Sequence, residues 1–200
     1  MKKLTFLLII LIACDQQTSS EKLPVLGNTV YEENDTIYHT IQDFQLVDQD
    51  SSIVTNETFN DKIYVADFFF TSCPTICPKM KAQMLRVYGK FEDNPEVAIL
   101  SHTIDPTYDT VALLKDYAER LGVSSDKWKF VTGDQDDIYD LAEKSYLSIA
   151  DEDADAPGGY IHSGAFLLVD KNRRIRGFYD GTVPEQVDVL MNDIEKLLNE

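Results

Sequence analysis

A nearly continuous run of apolar residues, from 63 to 70, constrains the fold of this chain more than any other feature. A strand that is buried on both faces has such a run, whereas a strand with one solvent-exposed face alternates apolar and polar residues. Helical spacing follows in Met80, Met84 and Phe91, and a second apolar run covers residues 97–104. Strand, helix and strand in this order predict a sheet with helices packed on its faces.

The rest of the chain continues this alternation of strands and helices. Turn residues at 48–51 predict one hairpin, and a second hairpin turns at Lys171 and Asn172. The order ββ-β-α-β-α-β-α-β-β-α predicts an α/β fold: a thioredoxin-like mixed sheet flanked by helices, with an N-terminal β-hairpin. Three more helices are predicted after the first. The second begins at a cap formed by Asp109 and Thr110 and ends at Gly122. The third begins at a cap formed by Asp134, and the fourth begins at Pro184.

Two cysteines, Cys73 and Cys77, stand between the first apolar run and the first helix, and each precedes a proline. Proline favours the first helical position and keeps the residue before it out of the helix. We therefore predict that Pro78 is the first helical residue and that Cys77 caps the helix. Both sulfurs would lie near the positive helix end, which lowers thiol pKa values from ~8.5 into the ~3.5–7.5 range. Both cysteines are therefore predicted to be thiolates at neutral pH.

A thiol pair at this position has several interpretations. A structural disulfide would close a loop of about five residues, which contributes only about 2 kcal/mol. A chain of 200 residues with 44% hydrophobic content hardly needs that contribution. A thiol–disulfide exchanger stays open, because it requires the two cysteines alone. A peroxidase is disfavoured, because no arginine lies close in sequence to Cys73.

A histidine would turn the thiol pair into a metal site. His162 lies between glycines just before a buried strand, where a loop can fold over the start of a neighbouring helix. His102, at the end of a predicted strand, is the second choice, and His39 is interpreted as incidental. Two thiolates and one imidazole are too few for a closed zinc site, which takes four ligands. They suit copper as Cu(I) or Cu(II), which accepts soft sulfur with added nitrogen.

The first residues have the pattern of an exported lipoprotein. Lys2 and Lys3 precede an apolar run, 4–12, that is too short to span a bilayer. The run ends in Leu-Ile-Ala-Cys14, which resembles the lipobox of bacterial lipoproteins and implies cleavage before Cys14 and its acylation. The domain would then lie outside the cytoplasmic membrane, facing the periplasm or the cell exterior. The predicted division is a signal peptide over 1–13, a lipid-anchored tether over 14–36 and a domain over 37–200.

The charge of the chain excludes one large class of partners. A formal net charge of −17 opposes binding to the phosphates of nucleic acids. It also opposes electrostatic attraction to an anionic membrane surface, so that membrane contact is expected through the lipid alone. A cationic partner is compatible with this charge.

Four landmarks, in the right order between about residues 44 and 198, resemble the Sco/SenC family of copper-delivery proteins. They are Cys73-Pro74-x-x-Cys77-Pro78, Asp105-Pro106-x-x-Asp109-Thr110, His162-Ser163, and Leu168-Val169-Asp170-Lys171 through Gly177-Phe178-Tyr179.

This resemblance implies a thioredoxin-like fold with inserted segments and copper bound by Cys73, Cys77 and His162. It further implies delivery of copper to the binuclear copper centre of cytochrome c oxidase, or reduction of cysteines there. The implied partners are the oxidase subunit that carries that centre or another cuproprotein, and a thioredoxin-like reductant. For Asp105 and Asp109 we favour turn formation and helix capping over metal binding. The leading hypothesis is a copper-binding chaperone, and the alternative is a membrane-tethered thiol–disulfide oxidoreductase.

Overall fold

A seven-stranded mixed sheet forms the centre of the structure, a computed structural model that describes residues 22–33 and 35–200. The strands of this part are β1 (Val30–Glu32), β2 (Asp35–Ile37), β3 (Gln45–Asp48), β4 (Ile53–Thr55), β5 (Ile63–Phe69), β6 (Val97–Thr103), β7 (Trp128–Thr132), β8 (Ala150–Glu152), β9 (Tyr160–His162), β10 (Ala165–Val169) and β11 (Ile175–Asp180). Its α-helices are α1 (Cys77–Phe91), α2 (Val111–Leu121), α3 (Gln135–Asp140) and α4 (Pro184–Leu198).

The strand order in the main sheet is β11-β10-β5-β6-β7-β3-β4. The central strands β5, β6 and β7 are parallel, and the pairs outside them are antiparallel. Every residue of β5 and β6 is buried, as expected of parallel strands covered on both faces. The predicted thioredoxin-like mixed sheet flanked by helices is confirmed.

The predicted caps explain where the later helices begin and end. The side chain of Thr110 accepts a hydrogen bond from the backbone N–H of Leu113 at the start of α2. Gly122 ends that helix in the left-handed conformation, with φ of 70°. The Asp134 carboxylate caps α3, and Pro184 is the first residue of α4. These four positions agree with the sequence analysis.

The start of α1 differs from the prediction by one residue. Ile76 is the capping residue, Cys77 is the first helical residue and Pro78 is the second. A proline at the second position is also free of the helix hydrogen-bond pattern, because the first N–H groups of a helix have no partner within it. Cys77 is therefore inside the first turn, although it precedes a proline.

The segment between α3 and β10 is more regular than its acidic sequence suggested. After α3 the chain makes a π-helical turn over Leu141–Ser145, and Leu147 then adopts a left-handed conformation with φ of 52°. The strands β8 and β9 follow and, within residues 22–33 and 35–200, pair only with each other, outside the main sheet. This hairpin was not predicted from the sequence.

The described residues of the predicted tether contact the domain. Leu26 pairs with Ile175 at the start of β11, and the guanidinium of Arg176 donates hydrogen bonds to the backbone carbonyls of Leu23 and Pro24. The chain then forms the small β1–β2 hairpin, which was not predicted either. The predicted signal peptide, the anchor residue Cys14 and residues 14–21 of the tether lie outside the described residues.

The chain enters at the end of the sheet opposite to the thiol pair. β10 is antiparallel to both β5 and β11, so that β5 and β11 run in the same direction. Leu26 contacts the beginning of β11, whereas Cys73 and Cys77 follow the end of β5. Within residues 22–33 and 35–200, no helix has the length and apolar character that a membrane span requires.

Candidate metal centre

Three soft-metal donors meet at the end of β5. The Sγ atom of Cys77 lies 3.2 Å from Nε2 of His162, and the Sγ atom of Cys73 lies 4.0 Å from the same nitrogen. The three donor atoms all lie within 4.8 Å of one another. Their residues are only 6–9% exposed. The two thiols are free, and a surface cleft is lined by Cys73 and His162.

A buried carboxylate fixes the turn that carries Cys73. Asp109 accepts hydrogen bonds from the backbone N–H of Thr71 at 3.0 Å and from the hydroxyl of Thr103 at 2.5 Å. The hydroxyl of Thr71 donates to the same carboxylate. Because Thr103 ends β6 and Thr71 follows β5, Asp109 joins the two strand ends beneath the site. The Cys73 N–H donates to the Phe70 carbonyl and closes the turn.

The hairpin of β8 and β9 brings His162 over the thiols. Tyr160 and His162 both point inward, and their rings lie 5.2 and 5.8 Å from the ring of Phe70. Gly158, with φ of 88°, approaches Phe70 so closely that an added Cβ would lie 2.9 Å from its ring. Only glycine combines this left-handed conformation with this contact. The hairpin therefore rests directly on the residue that follows β5.

The imidazole of His162 is prepared to donate its Nε2 lone pair. Its Nδ1 lies 3.1 Å from the carbonyl oxygen of Ser163. In the tautomer that donates from Nδ1 to this carbonyl, Nε2 faces the sulfurs without a proton. Burial lowers the pKa of His162, which keeps the ring neutral. A carbonyl partner of this kind orients metal-binding histidines.

The two thiols differ in acidity. Burial would raise the pKa of Cys73, but hydrogen bonds from the Cys77 side chain and from groups at Thr75 and Cys77 outweigh it, and the pKa is lowered. Burial raises the pKa of Cys77, and the sulfur of Cys73 raises it further. The prediction of two thiolates is therefore wrong for Cys77, because its buried position outweighs the helix end. A metal must displace the proton of Cys77 to bind there.

These donors fit a soft metal. Two sulfurs and one neutral imidazole are the donor set that copper accepts in low coordination, and a closed zinc site would require a fourth ligand. The structure thus brings together the three residues predicted as ligands. Among the described residues, these three are the group of histidine, cysteine or acidic side chains whose donor atoms lie close enough together to bind one metal ion.

The other candidate residues lie elsewhere. His102 is fully buried and stacks on Phe68, and its Nε2 has no hydrogen-bond partner among the described residues. Burial lowers its pKa to about 4. His39 lies away from the thiols, and its Nε2 is 2.7 Å from the carbonyl oxygen of Ser145. Asp105 forms the predicted turn by accepting from the N–H of Tyr108, whereas Asp109 holds Thr71 instead of capping α2.

Asp67 is a polar residue near the site that the sequence analysis missed. It lines a small cavity behind Cys77, together with Ser101 and Tyr117. The hydroxyl of Ser101 donates to its carboxylate, and burial raises its pKa to about 7. One charged residue inside an otherwise apolar strand was the feature that could have revealed it.

Together, the mixed sheet and the histidine-closed thiol pair define a thioredoxin-like domain with a soft-metal centre. The chain matches the family model described as SCO1/SenC over residues 32–199, and it belongs to the SCO1/SenC family. A curated relative, the SCO1 protein homolog of Bacillus subtilis, is 31% identical over 163 residues, which cover 80% of this chain and 84% of the relative.

Solved structures of this family have the same fold. A SCO1/SenC family lipoprotein from Bacillus anthracis superposes with a TM-score of 0.73 and 27% identity, covering 80% of this chain and 95% of that one. BsSco superposes with a TM-score of 0.70 and 31% identity, covering 80% of this chain and 93% of that one. It is described as having a disulfide switch and as a member of the Sco family of cytochrome c oxidase assembly proteins. ScoI of Bradyrhizobium japonicum with copper bound superposes with a TM-score of 0.62 and 25% identity, covering 79% of this chain and 99% of that one.

Proposed function

We propose that this chain is a copper-binding chaperone that supplies the binuclear copper centre of cytochrome c oxidase. The observation that carries the proposal is the convergence of Cys73, Cys77 and His162 within 4.8 Å. Membership of the SCO1/SenC family supports it. The copper-bound relative and the relative described as an oxidase assembly protein support the metal and the recipient.

In this proposal the three residues have different roles. Cys73, with the lower pKa, supplies the first thiolate, and Cys77 supplies the second when it loses its proton. His162 completes the donor set and closes the cleft. A partner's thiolates would replace the two sulfurs one at a time. Reduction of a partner's disulfide by Cys73 and Cys77 would form the Cys73–Cys77 disulfide and remove both thiolate donors.

The alternative is a thiol–disulfide oxidoreductase that acts on cysteines of a partner. The unequal thiols favour it, because exchange requires one reactive thiolate and a second, more buried thiol that resolves the mixed disulfide. The disulfide switch described for BsSco supports it as well. This activity does not require His162.

The two functions are separated by one set of variants. The full chain is prepared in a Cys14→Ser background, which leaves Cys73 and Cys77 as its two thiols. We expect the reduced protein to retain one copper ion per chain against a mild competitor. His162→Ala should weaken retention by at least about 100-fold, and Cys73→Ser should abolish it.

Thiol exchange supplies the second measurement. The rate at which His162→Ala reduces a model disulfide should stay within about twofold of the wild-type rate if exchange is independent of the imidazole. Failure of the reduced wild type to retain copper would leave the oxidoreductase as the function. Equal retention by wild type and His162→Ala would remove the imidazole from the site.

We also propose that Cys14 carries the lipid and that the domain faces the periplasm or the cell exterior. The lipobox-like sequence before Cys14 and the description of the Bacillus anthracis relative as a lipoprotein support this. Cys14→Ala should move the protein from the membrane fraction to the soluble fraction. An unchanged membrane fraction with no acyl group detected by mass spectrometry would contradict the proposal.

A further inference from the structure

Negative charge is concentrated beside the metal centre. Residues 134–155 contain nine carboxylates and one lysine, a formal charge of −8 in 22 residues of a chain whose total is −17. Among the ion pairs of the described residues, the one in this segment joins Lys144 to Asp140. The other carboxylates of this segment are in no ion pair with a described residue, and their mutual repulsion would be relieved by a cationic partner.

These carboxylates lie on α3 and on the hairpin that carries the metal ligand His162. In the β8–β9 hairpin, Ala150 pairs with His162 and Asp151 pairs with Ile161. The Gln135 side chain donates to Glu152 at 2.6 Å and so links α3 to this hairpin. We call this surface the acidic face. It is defined by seven exposed or half-exposed carboxylates of α3 and of the β8–β9 hairpin, namely Asp136, Asp137, Asp140, Asp151, Glu152, Asp153 and Asp155.

Apolar side chains interrupt the acidic face near the cleft. Ile149 is 63% exposed, Ile161 is 42% exposed and Leu147 is 41% exposed. Ile161 also lines the cleft that leads to Cys73. Exposed apolar residues ringed by charged ones are the usual composition of a protein–protein contact.

A partner that reaches the thiol of Cys73 through the surface cleft must also contact the residues around the opening of that cleft. The cleft to Cys73 has a volume of about 170 Å³ and is lined on one side by Thr75 and Ile76 and on the other by Pro157 and Ile161. A partner that presents its own sulfur ligands must insert a narrow segment there. The flank of that segment then lies against the β8–β9 hairpin, and therefore against the acidic face.

We propose that the acidic face is the docking surface for a cationic, cysteine-bearing segment of the protein that exchanges copper or disulfide bonds with this chain. The inference rests on the proposed function, in either of its two forms. The segment would place apolar residues on Ile149 and Ile161 and its lysines or arginines on the carboxylates. Electrostatic attraction would act mainly on the rate of encounter and would weaken as salt is added.

Two synthetic acceptor peptides test this proposal. They have the same length and one Cys-x-x-x-Cys pair each, flanked by lysines in one peptide and by glutamates in the other. The full chain in the Cys14→Ser background is loaded with Cu(I), and the rate of copper loss to each peptide is measured. In this transfer the peptide thiols release two protons, the sulfurs of Cys73 and Cys77 take up protons as they leave the metal, and no electron moves.

We expect faster transfer to the lysine peptide by about tenfold at low ionic strength, with the preference nearly lost at about 0.5 M salt. The variant Asp136→Asn, Asp151→Asn, Asp155→Asn should lose most of this preference. The matched control Asp61→Asn, Asp93→Asn, Asp126→Asn removes the same charge from exposed positions next to the N-terminal ends of the central strands, and it should keep the preference. Equal preferences in the two variants would overturn the proposal.

A second readout needs no copper. The same peptides in their disulfide form are reduced by the reduced chain: the Cys73–Cys77 disulfide forms, the peptide disulfide breaks, and two electrons and two protons pass to the peptide. A lysine-peptide preference here, with the same response to the two variants, sustains the docking surface even if the chain retains no copper. Absence of the preference in both assays would refute it.

Discussion

Cys73 and Cys77 follow the central strand β5, whereas His162 belongs to β9, a strand of three residues outside the main sheet. β5 pairs with β6 at seven positions and with β10 at three. β9 pairs with β8 at three positions and with no other strand among the described residues. The thiols therefore follow one of the two strands in which every residue is buried, whereas the imidazole belongs to a short strand outside the main sheet.

The difference also appears in what holds each side. The turn before Cys73 is fixed by the buried carboxylate of Asp109, which joins two strand ends. The hairpin of His162 is held by the contact of Gly158 with Phe70 and by a hydrogen bond from the N–H of Ser163 to the carbonyl of Ile149. Local opening costs least where few buried contacts are lost. We therefore expect the hairpin that carries the third ligand to open at a lower free-energy cost than the thiol turn.

The largest effect on stability is expected from Asp109→Ala. This variant leaves the N–H of Thr71 and the hydroxyl of Thr103 without their acceptor, and the free energy of unfolding should fall by about 3 kcal/mol. Urea denaturation of the reduced chain measures it. Asp109→Asn retains one acceptor oxygen and should lose about half as much. A loss below about 1 kcal/mol in Asp109→Ala would mean that the thiol turn does not depend on this carboxylate.

Substitution of Asp67 should change the free energy of unfolding by a smaller amount, and that change should depend on pH. Burial raises its pKa to about 7, so that the folded protein holds a proton which the unfolded chain releases near pH 4. The stability from the neutral carboxyl is full below about pH 4 and is lost as pH rises through about 7.

Asp67→Asn keeps an acceptor for Ser101 and removes this titration. Its stability should exceed that of the wild type by on the order of 1–3 kcal/mol at about pH 8, with little difference at about pH 4.5. Denaturation of both proteins at the two pH values measures the difference. A difference that does not change with pH would show that Asp67 keeps its ordinary pKa in the folded state.

The smallest effect on stability, and the sharpest test of the comparison, comes from two adjacent glycines. Gly158 and Gly159 have φ of 88° and 84°, so that either substitution to alanine costs about 1 kcal/mol in backbone strain. An added Cβ meets Phe70 at 2.9 Å and Pro74 at 3.3 Å only at Gly158, and nothing within 4 Å at Gly159.

Gly158→Ala should therefore displace the hairpin and weaken copper binding by about tenfold, the size of effect that a disturbed ligand support produces. Gly159→Ala should bind copper like the wild type. Competition with a copper chelator measures both affinities. Equal copper affinities would show that the Phe70 contact does not position His162.

The central fold and the donor set could be predicted from the sequence, because both follow from strong local patterns. The apolar run of β5 is long enough to identify a buried strand, and the caps at Thr110 and Asp134 lie next to the helices they start. The convergence of His162 with two distant cysteines followed from the family resemblance and from its place before a buried strand.

Other features depend on contacts that no local pattern contains. The strands of the β8–β9 hairpin have three residues each, too few for alternation to be recognised in an acidic segment. Asp109 was expected to cap a helix, but its side chain reaches Thr71, 38 positions earlier in the chain. The high pKa of Cys77 results from the residues that bury it, which the order of the sequence does not reveal.

The entry of the chain at the far end of the sheet determines where a lipid anchor would act on the domain. Leu26 is fixed beside the beginning of β11, so the lipid proposed on Cys14 would act on the domain from that end. The seven residues of β5 span about 23 Å, which separates this end from the thiol pair. A pull on the proposed anchor would therefore reach the copper ligands only through the whole length of the central sheet.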